Sequence, residues 1–249
     1  MTPPVRILDV DVDAVTMAEA LGIIHQAIDS RRGHGAAPLQ VATINPEFVM
    51  RARWDRRFRN VVAAAGLRTA DGAGLLLAAR ILGRRLPGRV TGVELVEGLA
   101  QTAAERRDRV FFLGAAPGVA AAAAGALAAE HPGLEVAGTF AGEAGEGGDE
   151  ATLAAVRASS PDVLLVAYGA PAQEFWLARN LAISGASVGI GVGGTFDYIS
   201  GRVRRAPGWM RRFGLEWLFR LLQQPTRARR MSVLPVFLLL VARRRLLGS

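Results

Sequence analysis

The chain of 249 residues contains neither cysteine nor lysine. The absence of cysteine excludes thiol nucleophiles, disulfide bonds and cysteine-ligated metal sites. The absence of lysine excludes Schiff-base chemistry through a lysine amine. The guanidinium group of arginine is therefore the only permanently cationic side chain with which this chain can bind a phosphate.

Signal peptides, long apolar runs and metal-ligand patterns are also missing. The N-terminus has no basic stretch followed by an apolar one, so no signal peptide is predicted and we place the protein on the cytoplasmic side. A helix needs roughly 20 apolar residues to span a bilayer, and the apolar run Val233–Ala242 is too short. His25, His34 and His131 show no ligand spacing, so no metal site is predicted.

Acidic residues are scarce at the C-terminal end. Residues 202–249, here called the tail, hold twelve arginines and a single acid, Glu216, a local net charge of +11, whereas residues 1–201 sum to −3. A segment this basic predicts contact with an anion, and the candidates are a ligand phosphate, a lipid headgroup or nucleic acid.

Apolar residues are interleaved with the arginines of the tail. From Met210 to Leu221 they keep helical spacing, and Pro225 is expected to stop or kink this helix near Gln224. Val233–Ala242 then precedes three arginines. We favour a helix lying in the membrane interface with its arginines toward anionic headgroups. The alternative is a helix that packs its apolar stripe on its own domain, with solvated arginines.

Strand-like and helical patterns alternate along residues 1–201. Thr16 and Glu19 form a capping box that opens the first helix. The alternation predicts an α/β fold, a Rossmann-like parallel sheet covered by helices on both faces, with a short helical C-terminal appendage. We place the boundary between a core of 1–201 and an appendage of 202–249. The strand candidates are Val5–Val12, Leu39–Ile44, Val110–Leu113, Leu134–Thr139, Val163–Ala167 and Val188–Val192. The helical candidates lie near residues 17–30, 73–82, 93–106, 118–130, 150–158 and 172–182.

Two motif matches are set aside, and a third is limited in what it can bind. Asp9–Asp13 contains the D-x-D metal motif twice over, but alternation with valine is typical of a half-exposed strand. Gly185–Gly189 matches the G-x-S-x-G nucleophile elbow, yet a strand-like run follows the serine where the elbow requires a helix. Gly114–Gly118 precedes a helix and would offer N–H groups to a phosphate, but it is not G-x-G-x-x-G. A nucleotide diphosphate is allowed, whereas a nicotinamide cofactor is disfavoured.

Polar residues lie where the predicted strands end, which is where parallel α/β sheets bind ligands. Each has a structural alternative, because asparagine and aspartate cap helices and glycine makes tight turns. Their gathering at one edge of a sheet nevertheless favours a functional site. The segments are Thr43–Glu47, Ala70–Gly72, Arg89–Gly92, Gly169–Glu174 and Gly191–Asp197.

These segments and two blocks of the tail resemble the WecG/TagA/CpsF family of bacterial glycosyltransferases, from about residue 8 to residue 230. The blocks, in chain order, are T-I-N-P-E, A-D-G, R-V-T-G, G-A-P-A-Q-E-F-W, G-V-G-G-T-F-D, R-A-P-x-W and G-L-E-W-L-F-R-L-x-x-x-P-x-R-x-x-R. The resemblance implies an inverting, metal-independent enzyme that moves a sugar from a UDP-sugar to a sugar on a polyprenyl-diphosphate carrier. Such enzymes serve teichoic acid, common antigen and exopolysaccharide synthesis.

The resemblance also implies which residues act. Inversion at an anomeric carbon needs a base for the acceptor hydroxyl and positive or dipolar groups for the departing diphosphate. Asp71 matches the family's essential aspartate and is the predicted base. Thr43, Asn45 and Gln173 match positions that bind or orient substrate, and Arg89 can bind phosphate oxygens through its fork.

Charge on the leaving UDP must be neutralised by protein, because neither a metal nor another cofactor is predicted. Arg220, Arg227 and Arg230 match the family's appendage arginines, and we predict that they bind a diphosphate once the tail folds over the core. Weaker candidates for contacts with the nucleotide are Gly114, Gly193, Gly194, Thr195 and Asp197.

The predicted partners are a UDP-sugar, a polyprenyl-diphosphate-linked sugar and the anionic inner face of the plasma membrane, to which the protein binds peripherally. A homo-oligomer is left open, and no nucleic acid is expected. Two other classes remain as alternatives: a nucleic-acid-binding protein with a basic tail, and an NAD-linked oxidoreductase built on the same sheet. No residue indicates which sugars are donated and accepted.

Overall fold

The computed structural model describes residues 2–212, 216–223 and 233–247. The strands are β1 Val5–Ile7, β2 Val10–Val12, β3 Leu39–Ile44, β4 Leu67–Ala70, β5 Arg109–Gly114, β6 Glu135–Phe140, β7 Val163–Ala167 and β8 Val188–Gly191. The α-helices are α1 Met17–His34, α2 Pro46–Trp54, α3 Arg56–Ala64, α4 Ala73–Ile81, α5 Gly92–Arg106, α6 Val119–Glu130, α7 Asp149–Ser159, α8 Ala172–Ser184, α9 Thr195–Ile199, α10 Gly208–Arg212, α11 Glu216–Gln223 and α12 Val233–Leu247. A 3₁₀ turn covers Glu146–Gly148.

The centre of the fold is a parallel sheet of six strands in the order β4-β3-β8-β7-β5-β6. β5 and β7 are almost wholly buried apolar runs, as expected for central strands of a parallel sheet. Phe112 and Leu165 point into the core on one face, and Phe111 and Leu164 point into the core on the other. The predicted α/β fold is confirmed.

Helices cover both faces of this sheet. α1, α5, α6 and α9 pack on one face, and α2, α3, α4, α7 and α8 pack on the other. The predicted capping box of α1 is present: the Glu19 N–H donates to Thr16 Oγ1 at 3.3 Å, and the Thr16 N–H donates to Glu19 Oε2 at 2.7 Å. Because the strands are parallel, their carboxyl ends and the helix N-termini that follow them meet at one edge.

The N-terminal strand expected over Val5–Val12 is instead an antiparallel pair outside the main sheet. Leu8 adopts a left-handed conformation with φ of 53°, which reverses the chain between β1 and β2. Two distant arginines contact this turn: Arg53 pairs with the Asp9 carboxylate at 3.1 Å, and Arg244 donates to the Leu8 carbonyl at 3.1 Å. Tertiary contacts therefore support a turn that the alternating sequence does not reveal.

The sequence patterns also miss β4, α2 and α3. β4 is an edge strand of four residues that contains Arg68, whose N–H donates to Asp13 Oδ2 at 2.8 Å and whose guanidinium pairs with Asp13 Oδ1 at 3.1 Å. Asp55 separates the two short helices, since its Oδ1 accepts from the Phe58 N–H at 2.9 Å and so caps α3. Elements of four to nine residues show too few repeats for periodicity to identify them.

The last helix of the tail packs on the domain. Phe237 and Val241 of α12 are fully buried, in one cluster with Ile44 and Phe48. The opposite side of α12 exposes Leu239 and other apolar residues to solvent. One side of α12 therefore packs on the domain, as the alternative interpretation of the tail expects. The boundary between core and appendage at residue 202 stays a prediction. Within residues 2–212, 216–223 and 233–247, no helix is both long and apolar enough to cross a bilayer.

Candidate active site

A cleft of about 850 Å³ opens where β3, β4, β7 and β8 end. It contains most of the strand-end residues that the sequence singles out. The predicted site residues that line it are Thr43, Asn45, Asp71, Arg89, Gln173, Gly193, Gly194, Thr195 and Asp197.

Asp71 lies at the carboxyl end of β4, next to the end of β3. Its N–H donates to the Ile44 carbonyl at 2.7 Å, which fixes the backbone between the two strands. Gly72 follows with φ of 96°, a conformation that favours glycine, and it is the N-cap of α4. Asp71 is therefore not the capping residue of this helix, and its side chain lines the cleft.

The loop before α5 brings Arg89 and Thr91 beside Asp71. The Val90 N–H donates to the Ala70 carbonyl at 2.8 Å, and the Thr69 hydroxyl donates to the Val90 carbonyl at 3.2 Å. This loop consequently runs along the end of β4. Arg89 and Thr91, which flank Val90, therefore line the same cleft as Asp71.

Arg89 belongs to an ion-pair network that joins the core to the tail. Glu94 Oε1 lies 3.3 Å from Arg89 Nη2 and 3.2 Å from Arg205 Nη2. Arg205 also pairs with Glu97 at 3.2 Å and approaches Glu216 at 3.6 Å. The single acid of the tail thus contacts an arginine of the tail, and both connect to the helix that starts beside the cleft.

Asn45 both lines the cleft and caps a helix. Its Oδ1 accepts from the Phe48 N–H at 3.1 Å, so it is the N-cap of α2, and Pro46 occupies the first turn. Asn45 is therefore a helix cap, as the structural alternative expects, and its Oδ1 accepts the capping hydrogen bond. A contact with substrate stays a prediction.

Gln173 connects the ends of β7 and β8. Its Oε1 accepts from the Gly169 N–H at 3.1 Å and from the Gly193 N–H at 2.9 Å. Its Nε2 donates to Glu174 Oε1 at 2.7 Å. Gly191 passes so close that an added Cβ would lie 2.6 Å from both side chains. The amide therefore fixes two cleft loops relative to each other.

Glu174 is fully buried beneath this amide. Burial raises the pKa of Glu174 to about 7, and the hydrogen bonds from Gln173 and from its own backbone N–H offset part of that rise. Its second oxygen, Oε2, has no hydrogen-bond partner among the described residues. This carboxyl group therefore stays neutral up to a higher pH than an exposed glutamate does.

Two hydroxyl groups also support the turn after β8. Thr43 Oγ1 donates to the Gly191 carbonyl at 2.9 Å, and Thr195 Oγ1 donates to the Val192 carbonyl at 2.6 Å. Both side chains are buried. They hold the backbone that forms the floor of the cleft, and their roles in binding substrate stay predictions.

Gly114 does not line the cleft, although its neighbour Ala115 does. At Gly114, with φ of 98°, an added Cβ would lie 2.9 Å from the Ala167 carbonyl carbon. The glycine therefore permits close packing of β5 on β7. A contact of Gly114 with the nucleotide stays a prediction.

The three predicted tail arginines lie within α11 or beyond it in the chain. Arg220 lies in α11, and its side chain is not described; Arg227 and Arg230 lie outside the described residues. Two neighbours of Arg220 in the same helix, Glu216 and Trp217, do line the cleft. The helix that carries Arg220 is therefore at the site, while the roles of the three arginines stay predictions.

One side of the cleft is apolar; the sequence indicates that its tail residues are apolar but does not predict that they line a cleft. Leu76 and Leu77 come from α4, Trp217 comes from α11, and α12 contributes the rest. We call these residues the apolar wall and the strand-end residues listed above the polar wall. The apolar wall consists of Leu76, Leu77, Trp217, Val233, Leu234 and Leu238.

The acids of the D-x-D-like segment lie away from the cleft. Asp9, Asp11 and Asp13 each pair with an arginine, at 3.1 Å in every case. In the part of the chain that the structure describes, no three histidine or acidic side chains gather as metal ligands would. The strand interpretation of this segment is confirmed for Val10–Val12.

Comparison with known proteins assigns the chain to a family. The model of the WecG/TagA/CpsF glycosyl transferase family matches residues 5–249. The chain belongs to this family. The protein is thus a glycosyltransferase, and the two alternative classes, a nucleic-acid-binding protein and an NAD-linked oxidoreductase, are set aside.

Curated relatives cover most of this glycosyltransferase. A Bacillus spizizenii protein is 36% identical over 197 residues, which are 79% of this chain and 76% of the relative. A Bacillus subtilis protein is 33% identical over 203 residues, 81% of this chain and 78% of the relative. A Staphylococcus aureus protein is 30% identical over 244 residues, 97% and 93% of the two chains. All three are named N-acetylglucosaminyldiphosphoundecaprenol N-acetyl-beta-D-mannosaminyltransferase.

Sequence reasoning missed the network of Arg205, Glu94 and Glu216 and the supporting role of Glu174. The spacing of three between Thr91 and Glu94 indicates only the start of α5, and no local pattern connects Glu94 to Arg205, which lies 111 residues away. For Glu174 the signal was weaker: an acid in the first turn of the helix that follows β7.

Proposed function

We propose that this glycosyltransferase moves a sugar from a UDP-sugar to a polyprenyl-diphosphate-linked saccharide, with inversion and without a metal. The names of the relatives make N-acetylmannosamine the first candidate for the donated sugar. They make N-acetylglucosamine on a lipid diphosphate the first candidate for the acceptor. The observation that carries the proposal is that Asp71 and Arg89 line one cleft together with the other residues of the polar wall.

Asp71 supplies the base in this scheme. An acceptor hydroxyl attacks the anomeric carbon from the side opposite the UDP, and Asp71 takes the hydroxyl proton as the new C–O bond forms. The bond between the anomeric carbon and the UDP oxygen breaks, and UDP leaves with the electron pair. One displacement of this kind inverts the configuration at the anomeric carbon.

Arginine stabilises the leaving diphosphate in the same scheme. Arg89 lines the cleft, and Glu94 holds its guanidinium at 3.3 Å. Arg220, Arg227 and Arg230 add positive charge when the tail covers the bound substrates, as the family resemblance implies. A site completed in this way would limit hydrolysis of the donor when no acceptor is present.

We also propose peripheral attachment to the inner face of the plasma membrane. The exposed side of α12 supports this proposal, because Val236, Leu239 and Leu246 leave apolar surface open beside Arg243. An interfacial helix combines these two features. Vesicles with and without anionic lipid would measure the attachment by sedimentation, and equal partitioning to both would contradict the electrostatic part.

The reaction is tested with the purified chain and a panel of UDP-sugars. Each donor is incubated with N-acetylglucosaminyl diphosphate on a ten-carbon chain, with EDTA present, and products are identified by mass spectrometry and their anomeric configuration by NMR. We expect one donor to give an inverted disaccharide on the lipid diphosphate. A retained configuration would exclude the single displacement, and loss of turnover in EDTA would exclude metal independence.

A further inference from the structure

The transfer reaction assigns chemistry to the polar wall and leaves the apolar wall without a role. Leu77 is 44% exposed and Trp217 is 41% exposed, although both are large apolar side chains inside a cleft. Exposed apolar surface in a concave site is a common feature of ligand-binding pockets. The apolar wall is therefore a candidate for a second part of the substrate site.

The helix α4 runs from Asp71 along this wall. Ala73, Leu76, Leu77 and Arg80 line the cleft, and their spacing of three and four residues places them on one side of the helix. The other side of α4, which includes Leu75, is buried in the core. At 1.5 Å per residue, the lined stretch Ala73–Arg80 is roughly 10 Å long and leads away from Asp71. The groove thus begins at the proposed base and leads outward.

The opposite side of the groove is the first part of α12. An added Cβ at Gly74 would lie 3.0 Å from Leu234 Cδ1 and 2.9 Å from Pro46 Cγ, so α4 and α12 approach closely there. Phe237 and Val241, one and two turns further along α12, are fully buried and attach the helix to the domain. The apolar wall is consequently a fixed surface with two sides rather than an isolated patch.

We propose that the apolar wall binds the first isoprene units of the acceptor's polyprenyl chain. This inference rests on the proposed function, since it takes the acceptor to be a lipid diphosphate. Such an acceptor joins a sugar, a diphosphate and an apolar chain in that order. With the sugar hydroxyl at Asp71, the chain beyond the acceptor's diphosphate leaves along Leu76 and Leu77, on the side of α4 that leads outward from Asp71. The cleft thus offers a polar group for the sugar at one end of the groove and apolar side chains for the chain further along α4.

The kinetic test varies the chain length of the acceptor. Full-length protein is assayed with N-acetylglucosaminyl diphosphate carrying a two-carbon or a ten-carbon chain, each below its aggregation concentration. We expect the wild-type KM to be at least about tenfold lower for the ten-carbon acceptor, because additional methylene groups become buried. A KM independent of chain length would overturn the proposal.

Leu77→Gln removes apolar surface from the groove without touching a buried position. We expect it to raise the KM of the ten-carbon acceptor by about fivefold, while the KM of the two-carbon acceptor and of the UDP-sugar stay within twofold. Ile183→Gln is the matched control, since Ile183 is 52% exposed and lies outside the cleft. An equal loss for both acceptors would make the apolar wall a structural surface instead.

A binding measurement keeps the groove testable if no donor is turned over. Isothermal titration of the wild type with decyl diphosphate and ethyl diphosphate compares the same headgroup with two chains. We expect tighter binding of decyl diphosphate, reduced by Leu77→Gln but not by Ile183→Gln. Absent turnover with intact chain-dependent binding would count against the proposed function alone, whereas equal binding of both diphosphates would overturn the groove.

Discussion

The polar wall and the apolar wall of the cleft are built from different parts of the fold. The polar wall comes from strand ends, where backbone hydrogen bonds from residues such as Asp71 and Gly193 hold each loop in place. The apolar wall comes from helix sides, including a helix of the tail that is anchored by Phe237. Side chains at the strand ends and side chains on the helices are thus held by different contacts, so substitutions can change one wall without the other.

Asp71→Asn gives the largest expected effect on the polar wall. An amide cannot accept the hydroxyl proton, so we expect kcat to fall roughly 10³-fold. UDP binding, measured by calorimetry, should stay within twofold because the backbone contact of Asp71 to Ile44 is unchanged. A variant that keeps more than a tenth of the wild-type kcat would remove Asp71 as the base.

Phe237→Ala tests whether the apolar wall depends on the core. Truncating a fully buried phenylalanine costs about 3–5 kcal/mol of unfolding free energy. Leu239→Ala is the control on the same helix, since Leu239 is 70% exposed and should change stability by less than about 0.5 kcal/mol. Urea unfolding measures both, and equal effects would mean that α12 does not pack as described. Deleting residues 202–249 would be a less specific test, because it removes Phe237 and Val241 together.

Glu174→Gln tests the support beneath the polar wall. Burial raises the pKa of Glu174 to about 7 from an ordinary value of 4.5, so the folded protein binds more protons than the unfolded chain between these pH values. Stability from this group is therefore present below about pH 4.5 and is lost as pH rises to about 7. We expect the variant to gain about 3 kcal/mol relative to wild type between pH 4.5 and pH 8. Parallel stability profiles would show that the carboxyl is not buried as described.

The ion pair between Arg205 and Glu94 connects the tail to the helix beside the polar wall, and it should have the smallest effect. A double-mutant cycle with Arg205→Ala and Glu94→Gln is expected to give a coupling of about 1 kcal/mol, because both side chains are only partly exposed. The more exposed pair of Arg6 and Asp11 is the control, with coupling near zero. Equal coupling for the two pairs would show that Arg205 and Glu94 stabilise the contact between the tail and α5 no more than an exposed ion pair would.

The parallel sheet could be predicted because its central strands are apolar runs separated by helical patterns. The positions of Asp71 and Arg89 at one edge followed from that topology. β4 could not be predicted, since it has four residues and its pairing is supported by Asp13, which is distant in sequence. The buried roles of Thr43 and Gln173 were also hidden, because they depend on backbone groups of other strands.

The tail shows the same limit. The run Val233–Ala242 is apolar nearly all round, so periodicity cannot tell which side is buried. The structure shows that Phe237 and Val241 face the core, while Leu239 faces solvent. Only the contacts with α2 and α4 could decide between these sides.

Steady-state kinetics of the wild type, Asp71→Asn and Leu77→Gln with one ten-carbon lipid-diphosphate acceptor tests the division of the cleft most directly. The two walls should separate kcat from KM. We predict that Asp71→Asn lowers kcat with little change in acceptor KM. Leu77→Gln should raise acceptor KM and leave kcat within twofold. The division would be contradicted if both substitutions lowered kcat alike, or if Leu77→Gln left the acceptor KM unchanged.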